Sequence, residues 1–248
     1  MTFAPLNQAK SRRFPHFPKR MFSDYAIFAL MVAGGAIVGS MVLTLIVSQF
    51  RPIEASGWDL AQQLPNWFAL GVGAPVGMRE FWLYVTHGQT RRNFFGEACL
   101  WLIAFALLLG VLYAAGFWIE MPLYALMGWP QTVHTAGLYS HVLDVPMVLL
   151  ESGLRCLLWG AAGLCLGAAF YRGTFIGLAA IGLCLFVAQI VSLSMGEDAG
   201  PVGSLVRVGA LPAEPQLGPA VLAHLCGTAI LLAVTWLAMR DAPILARK

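Results

Sequence analysis

Charge is scarce in this chain. Lys, Arg, Asp and Glu supply 11% of its 248 residues, whereas hydrophobic side chains supply 59%, and the mean hydropathy is +0.74. Soluble domains carry about 25% charged residues, so the composition excludes an ordinary water-soluble domain and defines an integral membrane protein. The formal net charge of +3 is too small and too scattered to indicate a nucleic-acid partner. Catalytic motifs are missing as well. There is no GxxxxGK[ST] loop to cradle nucleotide phosphates, no HExxH and no GxSxG. Cys99, Cys156, Cys165, Cys184 and Cys226 all lie in apolar runs, without a CxxC pair or metal-ligand spacing. They read as small buried hydrophobes, and no metal or cofactor bound by this chain is expected. A cleavable signal peptide is not expected either, because the first apolar run starts near Tyr25, is too long for an h-region and lacks a small-residue cleavage site.

What the chain has instead is long apolar segments. They predict an all-α polytopic membrane protein with six transmembrane helices at about 25–50, 65–86, 97–118, 145–170, 174–194 and 219–239, each able to cross roughly 30 Å of hydrocarbon. Gly35 and Gly39 give the first span a small-xxx-small face. In the second, Gly71, Gly73, Pro75 and Gly77 predict a kink, and Arg79 and Glu80 place its last turns beyond the lipid. Glu120 and Pro122 close the third span, and an aromatic loop with Trp129, Pro130, His134 and Tyr139 follows. Only Tyr171, Arg172 and Gly173 separate the fourth span from the fifth, which therefore form a tight hairpin. Residues 1–24 and 240–248 are read as cytoplasmic tails, and the polar segment 195–218 as external.

The distribution of charge orients this layout. Twelve of the fifteen Lys and Arg residues fall in the proposed cytoplasmic pieces, leaving Arg51, Arg155 and Arg207 elsewhere. By the positive-inside rule both termini face the cytoplasm. Within the spans, Glu151 and Arg155 stand four residues apart, on one helical face where they can pair. Ionisable groups at membrane depth face a bundle interior or a wet cavity. Two readings stay open: a position lining or gating a transport path, or an ion pair that fixes helix packing. A purely structural pair would survive exchange of its two residues. His224, the one histidine well inside a span, reads as a hydrogen-bonded core residue, since a haem between helices would want facing histidine pairs.

Between the second and third spans lies the polar stretch His87 to Phe95, HGQTRRNFF. Read from its residues, Phe94 and Phe95 offer an apolar anchor and Arg91 and Arg92 a charge register for a soluble partner. The blander alternative is that the arginines only satisfy the positive-inside rule while the two phenylalanines sit among headgroups. A bent second span, GQTRRNFF and a long third helix ending in Ile119-Glu120 together resemble the permeases of bacterial type-2-class ABC exporters, particularly small actinobacterial-type permeases. The family's Gly-x-Thr-Arg-Arg-x-Phe-Phe signature is matched by Gly88, Thr90, Arg91, Arg92, Phe94 and Phe95. The turn at Tyr171, Arg172 and Gly173 is similar to a second, weaker signature, with Tyr-Arg-Gly in place of Arg-Phe-Gly.

The resemblance implies that Gly88, Gln89, Thr90, Arg91, Arg92, Asn93, Phe94 and Phe95 form a short coupling helix docking on a separate nucleotide-binding subunit. It also implies two such ATPase subunits carrying ATP and Mg, a second permease chain, identical or homologous, and a bacterial inner-membrane location. The chain would not be an enzyme by itself. It would export a hydrophobic or amphipathic substrate such as a drug, lipid or peptide. The rival expectation is a non-transport six-helix subunit of a respiratory or lipid-modifying complex.

Overall fold

The computed structural model describes residues 16–133, 137–196 and 215–243. Most of the expected N-terminal tail, His134, the stretch 197–214 with Arg207, and residues 244–248 lie outside the described residues. Among those described, the chain is helical throughout, with no strand.

Helix α1 spans Lys19–Val47, a short α2 covers Gly57–Leu60, and α3 runs from Gln63 to Pro75. A π-helical turn at Val76–Glu80 joins α3 to α4, Phe81–Thr86. Then follow α5, Arg91–Met127, α6, Val145–Arg172, α7, Thr174–Leu193, and α8, Leu217–Arg240. Helices α1, α5, α6, α7 and α8 are each long and apolar enough to cross a membrane, which makes this a multi-pass membrane protein.

Helix α6 is the centre of the bundle. In its most apolar stretch 72% of residues are buried, against 11% for α1, so α6 is wrapped by protein and α1 offers most of its surface to lipid. Small residues allow this. An added Cβ at Gly73 or Gly77 would lie within 3.0 Å of α6 backbone, and one at Gly163 or Gly167 within 3.0 Å of α3 backbone. The α3–α6 contact is thus backbone against backbone, the close approach that glycine permits in membrane bundles.

Pro75 and the glycines around it are where the kink was expected. A π turn follows immediately after Pro75, a widening that redirects a helix. Arg79, exposed, lies in that turn.

Helix α5 is longer than expected. It holds 37 residues, about 55 Å at 1.5 Å per residue, and continues through Pro122. It stops at Gly128, whose φ of 68° supplies the left-handed residue that ends a helix. The beginning of α1 and the end of α8 lie at one end of the molecule. Arg20 shares a cleft with His87 and Gln89, and Arg91, at the start of α5, meets the Arg240 carbonyl.

Candidate functional site

Two polar regions stand out, one at each end of the bundle. One of them contains the HGQTRRNFF stretch. Thr86 begins an exposed turn that continues through His87, Gly88, Gln89 and Thr90. Gly88 turns the chain at φ 85°, a conformation that costs glycine nothing. Thr90 then caps α5, its hydroxyl accepting from the Asn93 N–H at 3.3 Å, the usual task of threonine at this position.

No separate helix stands between α4 and α5. The expected short coupling helix is replaced by this tight turn, because the Thr90 cap starts α5 at Arg91. That start fixes where the phenylalanines point. Phe94 falls on the stripe occupied by Ala98, Trp101 and Phe105 and is 1% exposed, with ring centroids 5.5 Å from Phe81 and 5.3 Å from Tyr84. Phe95, half-buried, lies 5.3 Å from Trp236 of α8. Both are therefore packed within the bundle, contrary to the expectation of a surface anchor.

Arg91 is also engaged. Its guanidinium donates to the carbonyl of Arg240 and, at 2.6 Å, to that of Ala242. Tyr171 adds a hydroxyl donor to the Pro243 carbonyl at 3.0 Å, and Arg172 donates to the Leu237 carbonyl at 3.1 Å. The last carbonyls of a helix have no partner within it, and cations beside them oppose its dipole. The HGQTRRNFF stretch and the turn at 171–173 thus converge on the end of α8, while Gly173 is the single residue between α6 and α7. Arg92 is left exposed beside the turn.

Nearby, Arg20 and Asp24 of α1 face Arg79, Glu80, His87 and Gln89 across a cleft of about 590 Å³. The exposed turn and this mixed-charge cleft form one continuous polar surface.

The region at the other end is buried. Arg155 donates to Glu151 at 2.6 Å, and the two side chains are 6% and 1% exposed. Glu151 holds more than its ion pair: it accepts from the Leu138 N–H at 2.5 Å and from the Gln62 amide at 3.4 Å. Gly137 sits so close that an added Cβ would be 2.6 Å from both carboxylate oxygens. Tyr113 and Tyr139 join their hydroxyls at 3.3 Å beside it. Burial, followed by the charges of Glu151 and Asp59, pushes the Tyr139 phenol well above its ordinary range, against the Tyr113 hydrogen bond and Arg155. On its far side Arg155 borders a cavity of about 30 Å³ shared with Asn66, Ser192 and His224, room for a water.

A second carboxylate organises the loop above α3. Glu120 accepts from the Ser56 hydroxyl at 2.5 Å, the Trp58 N–H at 3.1 Å and the Gln131 amide at 3.4 Å. Tyr124 receives the Gly57 N–H at 2.8 Å and donates to Ala55. Sequence reasoning singled out Glu151 and Arg155 but missed Asp59, Gln62, Asn66 and Tyr113. Asn66 alone carried a signal, as an amide one residue into a predicted span. Glu120 was read only as the end of a helix. Among the described residues no group of three His, Cys, Asp or Glu side chains could hold a metal ion.

Comparison of the chain with protein-family models, with curated proteins and with solved structures finds no match. What the two polar regions can do is therefore a matter of their own geometry and chemistry.

Proposed function

We propose that this chain is the membrane permease subunit of an ATP-driven exporter, with six spans, both termini on the cytoplasmic side of a bacterial inner membrane, and ATP and Mg bound by a separate partner subunit. One observation carries the reading: the exposed turn Thr86–Thr90 with Arg92 lies at the end of the α3–π–α4 unit, which is locked through glycine contacts to the central helix α6. A push on that turn passes along a packed backbone into the bundle core, and the π turn supplies a place where the unit can bend. The six-span count follows from reading α3–π–α4 as a further crossing, 24 residues from Gln63 to Thr86, about 36 Å.

The partner-facing residues are then narrower than the resemblance implies. Gly88, Gln89, Thr90 and Arg92 remain available, whereas Arg91, Phe94 and Phe95 position α5 and α8. Asn93 serves through its backbone at the Thr90 cap. Two permease chains with two ATPase subunits complete the assembly, and its cargo is hydrophobic or amphipathic. Arg92→Glu combined with Gln89→Glu tests the reading. The expected result is loss of co-purification with the proposed ATPase subunit, and of permease-stimulated ATP hydrolysis, at unchanged expression and melting temperature. Retention of both would remove the proposal.

A further inference from the structure

One concavity among the described residues adjoins the loop that Glu120 and Tyr124 organise, away from the exposed turn. It is a groove of about 920 Å³ between the second half of α1, the loop 51–56 and the start of α3. Its walls include Ala36, Gly39, Leu43, Val47, Leu60 and Leu64. The two hydroxyls on the α1 wall are spent locally, Ser40 donating to the Ile37 carbonyl at 2.8 Å and Thr44 to the Ser40 carbonyl at 2.9 Å. The interior thus asks for an apolar occupant, and its size suits one small molecule or chain.

The rim is different. Arg51 and Glu54, both exposed, line the groove where α1 ends. Among the described residues neither side chain has an ion-pair partner. The rim lies at the end of α1 away from Lys19, level with a headgroup layer if α1 crosses the membrane. One cation and one anion above an apolar slot complement a head that carries both charges: a phosphate for the guanidinium and an ammonium for the carboxylate. A purely anionic head would meet Glu54, and a neutral head would leave both charges unused.

We propose that this groove binds a zwitterionic phospholipid of the phosphatidylethanolamine type, with an acyl chain against Leu43 and Leu60, its phosphate at Arg51 and its ammonium at Glu54. The site stands apart from the partner-facing turn and does not depend on transport.

The test uses full-length protein in detergent, titrated with phosphatidylethanolamine, phosphatidylglycerol or diacylglycerol of matched chains, with bound lipid read by native mass spectrometry. Wild type should retain one phosphatidylethanolamine per chain in preference to the other two. Gly39→Leu, which has open space at its Cβ, should fill the groove and weaken retention about tenfold. Gly34→Leu, equally open but outside the groove lining, should bind as wild type. Glu54→Gln should keep the lipid yet lose its preference over phosphatidylglycerol by about two- to fivefold, the scale of an exposed charge pair. Equal retention of the three lipids, or wild-type binding in Gly39→Leu, would overturn the proposal. So would a lipid-free dimer that Gly39→Leu dissociates, which would assign the groove to a second copy of the chain.

Discussion

Arg91 and Arg92 are neighbours in sequence and opposites in role. Arg91 ties the start of α5 to the carbonyls that end α8, while Arg92 is exposed beside the turn. Charge-assisted hydrogen bonds contribute about 1.5–3 kcal/mol, so Arg91→Ala should lower the melting temperature in detergent by about 3–12 °C, whereas Arg92→Ala should leave it within a degree or so. The periodicity of α5 already held the clue to the phenylalanines. Phe94 is in register with Ala98, Trp101 and Phe105, and a stripe spaced at three and four residues marks a buried face. What concealed it was the local polarity of TRRN, which reads as surface when taken alone. At the other end, the Glu151–Arg155 pairing was legible from its spacing of four, but Leu138 and Gln62 come from distant parts of the chain and were not. They change the meaning of a charge swap. Exchanging the pair keeps its charges but puts a guanidinium, which accepts nothing, opposite the Leu138 N–H and against Gly137. Glu151→Arg with Arg155→Glu should therefore destabilise by about 3–5 kcal/mol, as a broken buried pair does. A thermal stability assay in detergent decides it, and wild-type stability in the swap would show that the Leu138 and Gln62 contacts carry no weight.

Among the elements, the unit α3–π–α4 repays most attention. Its Pro and Gly content announced a disturbed helix. The form of the disturbance was not legible, because a π turn of five residues leaves no periodicity of its own in so short a window. Nor did the glycines reveal that they face other glycines: Gly73 meets Gly160 and Gly163 on α6, a long-range match that only packing displays. Helix α5 was cut short at its C-terminal end for a related reason. Glu120 looks like a helix boundary in a membrane reading, yet it is buried, as the acceptor for the loop above α3. The glycine contact makes a prediction at this scale. Gly167→Leu would drive its side chain into the Ala74 carbonyl and the Met78 amide, so α3 and α6 must separate. The expected loss is about 1–3 kcal/mol, typical of overpacking, read by thermal unfolding in detergent. Gly182→Leu, with no atom near its Cβ, should melt as wild type. Equal melting of the two variants would mean that α3 and α6 are less tightly engaged than their glycines require.

For the molecule as a whole, the decisive matter is which ends share a side. Composition alone set the class, and five helices meet the demands of length and hydropathy; the sixth crossing rests on α3–π–α4, split by its π turn. Three contacts place several chain positions at one end: Arg91 with Arg240, Tyr171 with Pro243, and the cleft joining Arg20 to His87. If α1 crosses the membrane once and α3–π–α4 returns across it, Gln89 and Asp241 face the same compartment and Gln49 the other. Single cysteines at these exposed positions, introduced into a Cys226→Ser background because Cys226 alone among the native thiols is exposed, make the arrangement measurable. In intact cells a membrane-impermeant maleimide should modify Gln49→Cys and spare Gln89→Cys and Asp241→Cys. In inverted vesicles the pattern should reverse. Labelling of both Gln49→Cys and Gln89→Cys in intact cells would mean that α3–π–α4 does not cross. The exposed turn would then face away from any cytoplasmic ATPase, and the exporter reading would fall with it.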